Sequence, residues 1–286
     1  MKKDIFLFGA SGFLGKNISS FLSKRDIPFH TITRQECDAR YSENIERILD
    51  KSEDGELCII NAAAVSKAAN NTYESFLDNI AIGHAFYAAA QNIRIASFIH
   101  ISSFDVYGNA PQNPITENSR LAPDTWYGLA KVAVEHIFAM SPSLKNALTI
   151  LRMPGIYALN DTDSKSIVAR LSEKIQNRQT IMLENKGKSL RDYVNAEDVA
   201  RIVEYILRTG KNYGTVNVAT GESVLINSIV DTLASYIGIA AVNKYTASSG
   251  RAFDIITDVT KLKTVFPDHH PQSLLKTLKD FYTSSI

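Results

Sequence analysis

The junction that most limits how this chain folds is Gly9–Gly15, which reads Gly-Ala-Ser-Gly-Phe-Leu-Gly and follows a short apolar run. The apolar run at residues 4–8 predicts a strand, and the helical spacing of the apolar side chains in residues 15–24 predicts a helix. Glycines at such a junction let the backbone turn sharply and approach a pyrophosphate, toward which the helix start directs free N–H groups. The junction therefore predicts a dinucleotide-binding loop, the alternative being a plain strand-to-helix turn. The loop residues expected to contact the ligand are Gly9, Ser11, Gly12, Phe13, Leu14 and Gly15.

The same alternation of strand and helix continues along the chain. Strands are predicted at residues 4–8, 28–33, 57–60, 97–101, 148–151 and 216–218, and helices at residues 15–24, 44–51, 72–91, 127–140, 167–177, 197–208, 226–237 and 272–282. Strands that are apolar almost throughout, each followed by a helix, indicate a parallel sheet covered on both faces. We therefore expect an α/β fold: a doubly wound parallel-sheet Rossmann domain with a smaller, interleaved C-terminal substrate lobe. The expected division assigns residues 1–154 and 192–219 to dinucleotide binding and residues 155–191 and 220–286 to the lobe.

The composition excludes several classes of protein. Of 286 residues, 31 are Lys or Arg and 30 are Asp or Glu, so the net charge of +1 leaves no basic excess for a nucleic-acid partner. No window approaches the roughly 18 apolar residues that a membrane span needs. Neither the two cysteines, Cys37 and Cys58, nor the six histidines show a metal-ligand spacing. The sequence thus predicts a reduced, cytoplasmic chain without a metal site.

A second motif is the pair Tyr127 and Lys131, spaced as Tyr-x-x-x-Lys on the predicted helix 127–140. Residues four apart lie on the same face of a helix, so both side chains can point at one site. A nearby ammonium group stabilises a phenolate and lowers the tyrosine pKa from its ordinary value of about 10, which suits acid–base catalysis at neutral pH. The alternative is an amphipathic helix without chemistry.

Together with the Gly-x-x-Gly-x-x-Gly spacing of the loop and the strand-end segment Ile101–Gly108, this motif resembles the extended short-chain dehydrogenase/reductases. Within them it resembles the NAD-dependent epimerase/dehydratase family, whose members modify nucleotide sugars. The resemblance covers nearly the whole chain and implies that Ser103, Tyr127 and Lys131 are catalytic beside a nicotinamide, which Tyr127 and Lys131 also contact. The further cofactor contacts that it implies are Asp38, Ala62, Ala63, Ala64 and Pro154.

The expected cofactor preference rests on the end of the second strand. A carboxylate about 20 residues beyond the glycine loop would hold a ribose 2′-hydroxyl and indicate NAD. Thr33 stands at that position and Arg34 follows, whose guanidinium group suits a 2′-phosphate. NADP(H) is therefore expected over NAD(H), the alternative being an Arg34 that merely faces solvent.

On the substrate side, the segments around Arg191 and Arg251 resemble the family's two diphosphate-gripping motifs. Planar guanidinium groups suit that bidentate task, so a nucleotide-diphosphate sugar is the expected substrate, and structural ion pairs are the alternative. Asp105 either contacts substrate or orients the loop that follows it. Phe104 replaces the first carboxylate of the Asp-Glu pair with which the family's dehydratases eliminate water, so dehydration is not expected.

Two positions depart from the family pattern. Gly155 stands where relatives carry an Asn that contacts substrate, and Asn79 is one residue off its usual spacing from Gly83. Gly155 cannot supply that amide contact, so the family pattern does not predict the details of sugar binding.

The resemblance leaves three functions to compare. The expected one is NADPH-dependent reduction of a 4-keto(-6-deoxy) sugar linked to a nucleotide, and the second is a 4-epimerase that retains NAD. The third is a non-catalytic dinucleotide-sensing module, against which the intact set Ser103, Tyr127 and Lys131 argues. Relatives commonly dimerise through the helices predicted at 72–91 and 127–140, so a homodimer is expected.

Overall fold

The computed structural model describes residues 3–52, 55–109, 111–159, 166–246 and 253–283. In chain order its strands are β1 Lys3–Phe8, β2 His30–Ile32, β3 Glu56–Asn61, β4 Ser97–Ile101, β5 Leu148–Arg152, β6 Gly155–Tyr157, β7 Thr180–Glu184, β8 Leu190–Arg191, β9 Tyr193–Asn195, β10 Gly214–Asn217, β11 Val224–Leu225 and β12 Val242–Thr246. Its α-helices are α1 Phe13–Lys24, α2 Ser42–Leu49, α3 Tyr73–Ala89, α4 Trp126–Met140, α5 Ile167–Gln176, α6 Ala196–Thr209, α7 Ile226–Ile237, α8 Thr260–Val265 and α9 Leu274–Thr283. Within these described ranges, no helix has both the length and the apolar composition to cross a membrane.

Six of the strands form one sheet in the order β10-β5-β4-β3-β1-β2. The four pairings that join β2, β1, β3, β4 and β5 are all parallel. In β1 and β3 every residue after the first is buried, as expected when helices cover both faces of a parallel sheet. The predicted α/β fold with a parallel sheet is confirmed.

Aromatic packing fixes helices α3 and α4 against one face of this sheet. The rings of Phe8, Phe86, Phe98 and Phe138 meet edge to face in sequence, with centroids 5.0 to 5.8 Å apart. Each such pair contributes about 0.5–1.5 kcal/mol beyond the apolar area that it buries. The two helices that carry Asn79 and Tyr127 are thus held by rigid contacts to β1 and β4.

The start of α4 is fixed by its own residues and by the segment that follows β4. The Thr125 side chain accepts a hydrogen bond from the backbone N–H of Gly128 at 3.0 Å, which caps the helix. A Cβ at Gly128 would lie 2.4 Å from the carbonyl oxygen of Asp105, so the two backbones touch. This contact brings the first turn of α4, with Tyr127, beside the end of β4.

The chain divides into two compact units. The first comprises residues 1–109, 121–152 and 199–216, and the second comprises residues 110–120, 153–198 and 217–286. In the second unit β6 pairs with β9 and β7 with β12 in parallel, while β8 and β11 are antiparallel. Helices α5, α7 and α9 bury their apolar faces in the core of that unit. The predicted division into cofactor-binding and substrate-binding parts concerns function, and it stays a prediction.

The short strands of the second unit and helix α8 were not predicted from the sequence. These strands have two to five residues each, which is too few for an alternation of apolar and polar residues to be recognised in the sequence. In β7, buried and exposed residues alternate, because only one face of the strand meets the core. The longer apolar strands of the central sheet, by contrast, were all predicted.

Gly9 leaves no room for a side chain. Its φ is +81°, and a Cβ would lie 2.6 Å from the carbonyl carbon of Ala62. Gly9→Ala therefore adds backbone strain and a clash, and we expect the free energy of unfolding to fall by about 3 kcal/mol. Gly214 is the matched control, because its φ is +61° but no described atom lies within 4 Å of a Cβ there. Gly214→Ala should cost about 1 kcal/mol in chemical denaturation, and equal losses for the two variants would contradict the clash.

Candidate active site

The glycine loop opens into a cleft of about 160 Å³ at the carboxyl ends of β1, β2 and β3. The predicted residues that line the cleft are Gly9, Ser11, Gly12, Arg34, Asp38, Ala62, Ala63 and Ala64. Three more predicted residues, Phe13, Leu14 and Gly15, form the first turn of α1. The structure thus brings together residues from three separate segments at the edge of the sheet where parallel α/β folds bind ligands.

The start of α1 fits an anionic group. Gly12 is the N-cap residue immediately before α1, and no described side chain caps the helix. An uncapped helix start leaves N–H groups and a partial positive charge for a ligand. A Cβ at Gly15 would lie 2.1 Å from the carbonyl oxygen of Gly9, so helix and loop meet backbone to backbone. These features fit the pyrophosphate of a dinucleotide.

The carboxylate nearest to the end of β2 is that of Glu36, and it is hydrogen-bonded to Thr33. The Glu36 side chain accepts hydrogen bonds from the N–H and the Oγ of Thr33, both at 2.8 Å, and these bonds lower the pKa of Glu36. Glu36 is not among the residues that line the cleft. Arg34 lines the cleft wall and is exposed, and within the described part of the chain no carboxylate forms an ion pair with it.

Sequence reasoning missed Arg40, which also lines this cleft. Its Nε and Nη2 donate to the carboxylate of Asp38 at 2.9 and 2.6 Å, and its Nη1 donates to Asp78 of α3 at 2.9 Å. The hydrogen bonds from Arg40 lower the pKa of Asp38. The carboxylate of Asp38, a predicted cofactor contact, is therefore already paired, and Arg40 joins the β2–α2 connection to α3.

Ser103 lies two residues beyond the end of β4 and caps a short 3-10 helix, Phe104–Tyr107. Its Oγ accepts a hydrogen bond from the backbone N–H of Asp105 at 3.1 Å and donates to the Asp105 carboxylate at 2.9 Å. The second carboxylate oxygen of Asp105 accepts from Nζ of Lys67 at 2.6 Å. Asp105 therefore orients the Ser103 hydroxyl, and Lys67 is a cation at this site that the sequence analysis did not identify.

Tyr127 and Lys131 reach the same place from α4. Nζ of Lys131 donates to the carbonyl oxygen of Ile101 at 2.7 Å, two residues before Ser103, and lies 5.6 Å from the ring centroid of Tyr127. The Asp105 carboxylate acts electrostatically on Tyr127. The side chains of Ser103, Tyr127 and Lys131 thus converge at the carboxyl end of β4.

The sequence predicts that the nearby Lys131 lowers the pKa of Tyr127. This prediction is wrong for the protein without a bound ligand, in which the pKa of Tyr127 is raised. Burial raises the pKa of Tyr127, and the Asp105 carboxylate raises it further. Burial also lowers the pKa of Lys131 to about 8, although Glu135 opposes that change. Desolvation disfavours the charged form of both groups, and it outweighs the attraction that the motif predicts. The enclosed site therefore holds Tyr127 as a neutral phenol that can donate a proton.

A buried ion pair includes Glu135, which lies one helical turn after Lys131 on α4. Arg152 of β5 donates to Glu135 of α4 through Nη2 at 2.6 Å and to the hydroxyl of Tyr107 at 3.0 Å. Ser102 donates to the same Glu135 carboxylate. One network thus ties the segment that follows β4 to β5 and α4.

The predicted diphosphate residue Arg191 lies in the second unit. Its Nη1 donates to the carbonyl oxygens of Leu190 and Phe253 at 2.9 and 2.6 Å, and its guanidinium carbon lies 4.3 Å from the Phe253 ring centroid. Burial lowers the pKa of Arg191. No carboxylate in the described ranges forms an ion pair with it, so this half-buried cation is held in place by uncharged groups.

The structure does not test the predicted roles of two other residues. Arg251 lies outside the residues that the structure describes. Pro154 belongs to the second unit, and its contact with a cofactor stays a prediction. In the described part of the chain, no three His, Cys, Asp or Glu side chains are grouped as a metal ion would need.

The two departures from the family pattern have structural counterparts. A Cβ at Gly155 would lie 2.5 Å from the ring of Tyr193, so an aromatic ring fills the space beside the missing amide. Asn79 accepts from the N–H of Val65 at 2.9 Å and donates to its carbonyl oxygen at 3.0 Å. Asn79 thereby holds the segment that follows β3.

Comparison with known proteins identifies one family. The sequence model described as "NAD dependent epimerase/dehydratase family" matches residues 5–219, well over half of the chain. Among curated proteins, dTDP-D-glucose 4,6-dehydratase of Dictyostelium discoideum is 23% identical over 254 residues, which cover 76% of this chain and 58% of that protein. The chain thus spans under two thirds of the length of this relative.

Solved structures share the fold across the whole chain. A GDP-6-OMe-4-keto-L-xylo-heptose reductase from C. jejuni matches with a TM-score of 0.81 and 16% identity, covering 100% of this chain and 99% of that one. The UDP-glucose 4-epimerase of Thermotoga maritima matches with a TM-score of 0.83 and 22% identity, covering 99% of both. At these identities the likeness establishes the fold.

Proposed function

Because the chain belongs to the NAD-dependent epimerase/dehydratase family, we propose that it is an NADPH-dependent oxidoreductase that reduces the C4 keto group of a nucleotide-linked 4-keto(-6-deoxy) sugar. The observation that carries the proposal is the convergence of Ser103, Tyr127 and Lys131 at the end of β4. The cleft beside the glycine loop, in the same unit of the chain, fits a dinucleotide. The likeness to a solved 4-keto sugar reductase supports the choice of reaction.

In the proposed mechanism each side chain has one task. A nicotinamide cofactor supplies hydride to the carbonyl carbon when it is bound. Tyr127, held neutral by burial, donates its proton to the carbonyl oxygen as negative charge develops there. The Lys131 ammonium stabilises the resulting phenolate, and the Ser103 hydroxyl turns from Asp105 to donate a hydrogen bond to the same oxygen. Asp105 keeps Lys67 as its partner during this exchange.

The proposed preference for NADPH rests on Arg34. The guanidinium group is exposed at the cleft wall, while the neighbouring carboxylates of Glu36 and Asp38 are bonded to Thr33 and Arg40. A planar cation without a carboxylate partner suits a 2′-phosphate, which it can bind with two hydrogen bonds.

Arg34→Ala is expected to lower kcat/KM for NADPH by about 30-fold and to change the value for NADH by less than about 3-fold, because the lost hydrogen bonds involve two charged groups. Arg94→Ala is the matched control, since Arg94 is exposed and precedes β4 at the opposite, amino edge of the sheet. Steady-state kinetics with the two cofactors measure the effect. Equal losses with NADPH and NADH would contradict a role for Arg34 in binding a 2′-phosphate.

We also propose that the diphosphate of the substrate binds Arg191 and Arg251. Support comes from Arg191, whose charge is partly desolvated and is not neutralised by a described ion pair. An anionic ligand would restore the electrostatic stabilisation that burial removes. Residues 155–191 and 220–286 would then form the substrate-binding part of the chain.

The function is tested by mixing the purified protein with NADPH and a panel of dTDP- and GDP-linked 4-keto-6-deoxy sugars. The proposal expects NADPH absorbance to fall only when a keto sugar is present, with one reduced sugar formed for each NADPH consumed. No consumption with any member of the panel would count against a reductase.

A 4-epimerase with retained NAD is the second candidate, and the likeness to the Thermotoga maritima epimerase favours it. Such an enzyme oxidises and reduces the same carbon, so it keeps its cofactor through each turnover. Denaturing freshly purified protein and identifying the released nucleotide separates the two candidates. Stoichiometric NAD would indicate the epimerase, whereas released NADP or none would indicate the reductase.

The remaining proposals are a homodimer and a cytoplasmic location. Helices α3 and α4 expose several large apolar side chains, Tyr73, Leu77, Trp126, Leu129 and Met140. A second copy of the chain would bury this surface, and light scattering should then give twice the mass of 31.6 kDa. Both cysteines are free and buried, which suits a reducing compartment.

A further inference from the structure

A small internal cavity of about 10 Å³ lies against Lys131. Four of the side chains that line it are polar, namely Asn61, Asn79, His100 and Lys131, and each is at most 6% exposed. A cavity of this size accommodates one water molecule when two to four polar groups surround it. Size and lining both suit a single buried water.

The hydrogen bonds around the cavity fix the protonation of His100. The backbone N–H of Ala63 donates to Oδ1 of Asn61 at 3.2 Å, so Nδ2 is the Asn61 atom that faces Nδ1 of His100 at 3.4 Å. An amide nitrogen only donates, and therefore Nδ1 of His100 accepts. The proton of the neutral imidazole must then be on Nε2.

Two of the residues that line the cavity, His100 and Lys131, therefore carry buried donors that need an acceptor. Nε2 of His100 is buried and has no hydrogen-bond partner among the described residues. Lys131 uses one of its three N–H groups on the carbonyl oxygen of Ile101, at 2.7 Å. A buried donor without an acceptor costs about 1–3 kcal/mol, so each group gains from an oxygen atom placed between them.

The same cavity offers acceptors for the hydrogens of that water. Oδ1 of Asn61 accepts one bond, from Ala63, and Oδ1 of Asn79 accepts one, from Val65. Each amide oxygen has a second lone pair. A water molecule can therefore accept from His100 and Lys131 and donate to the two amides, satisfying all four groups.

We propose that His100 is a positioning residue that holds the Lys131 ammonium group in place through one buried water molecule. The inference rests on the proposed function, in which Lys131 stabilises the phenolate of Tyr127. His100 touches neither substrate nor cofactor, and it acts only through Lys131. The sequence analysis passed over it because a histidine within an apolar strand resembles an ordinary core residue.

The charges near Lys131 determine the sign of the effect. Glu135 and Tyr127 lie on the same helix, His100 on β4 and Asp105 on the 3-10 helix, whereas α3 contributes uncharged groups to the cavity. Arg152 of β5 is paired with Glu135. Burial holds the pKa of Lys131 at about 8. Removing the water that accepts its N–H lowers this pKa further, because the ammonium form loses a hydrogen bond.

Activity needs the ammonium form, so it falls as the pH rises through the pKa of Lys131. His100→Leu removes the donor that holds the water, and we expect the Lys131 pKa to fall by about one pH unit. The alkaline fall of kcat should move to lower pH by the same amount. His100→Gln, whose amide N–H can donate to the water, should restore most of both values. Ile99→Val is the matched control, a change in a buried residue of β4 that does not line the cavity.

NMR titration of lysine labelled at Nζ measures the Lys131 pKa without any substrate, so failure of this inference is distinguishable from failure of the proposed function. A second measurement needs no variant: the ¹⁵N spectrum of His100 should show a protonated Nε2 and an unprotonated Nδ1. An Nδ1–H tautomer would overturn the proposal. So would an unchanged Lys131 pKa in a folded His100→Leu protein, or a shift of equal size in Ile99→Val.

Discussion

Tyr127→Phe is expected to lower kcat about 10³-fold while the dissociation constant of the cofactor changes by less than about 3-fold, because only the proton donor is lost. The ring stays in place above Lys131, so its packing is retained. Single-turnover reduction followed by NADPH absorbance measures the chemical step, and cofactor fluorescence measures binding.

Tyr73→Phe is the matched control for this change. Tyr73 lies in the first turn of α3, as Tyr127 lies in the first turn of α4, and it packs against Trp126 with ring centroids 5.3 Å apart, but it is half exposed and has no proposed role. Its hydroxyl should be dispensable within about 2-fold. If Tyr127→Phe retained more than a tenth of the parent kcat, Tyr127 would not be the proton donor.

A large loss of stability is also expected from Glu135→Gln. Glu135 is 3% exposed and accepts hydrogen bonds from Arg152, itself 5% exposed, so the substitution leaves a buried cation without its counter-charge. Breaking one side of a buried ion pair costs about 3–5 kcal/mol. We expect a loss near the lower figure, because the Gln oxygen can still accept one hydrogen bond. Equilibrium denaturation in urea measures it.

Glu204→Gln provides the comparison. Glu204 forms a partly exposed ion pair with Arg25 at 3.8 Å, and surface pairs contribute at most about 1 kcal/mol. A loss for Glu135→Gln no greater than that for Glu204→Gln would show that the buried network does not hold the segment that follows β4 to β5 and α4.

Local motifs predicted the centre of this site. The glycine loop and the Tyr127–Lys131 pair each act within one strand–turn–helix unit or one helical turn, so their geometry follows from spacing alone. The apolar strands of the central sheet were equally legible, since burial on both faces leaves a continuous hydrophobic run.

Contacts between distant segments could not be predicted in this way. Lys67 reaches Asp105 across 38 residues of sequence, and Arg40 reaches Asp78 across the same separation. Each partner alone looks like an ordinary surface charge, and only the fold shows that they meet. The raised pKa of Tyr127 has the same origin, because the enclosure that causes it is a property of tertiary packing.

The second unit was least predictable. Its strands are short and its strand pairings are few. The sequence therefore gave no indication that the Tyr193 ring lies beside Gly155, or that backbone carbonyl oxygens bind Arg191. The contacts of Arg191 depend on Phe253, more than 60 positions later in the chain. If this unit binds the substrate as proposed, specificity for one sugar would depend on the part of the chain where sequence patterns carry the least information.

The most direct measurement is isotope transfer from NADPH that carries deuterium at both C4 positions of the nicotinamide to a nucleotide-linked 4-keto sugar. We predict that the reduced sugar carries one deuterium at C4, observed by NMR and as a mass increase of about one unit, and that Tyr127→Phe slows its appearance. Reduced sugar without deuterium, or no reduced sugar at all, would contradict the claim that this chain carries hydride from a nicotinamide to the sugar beside Ser103, Tyr127 and Lys131.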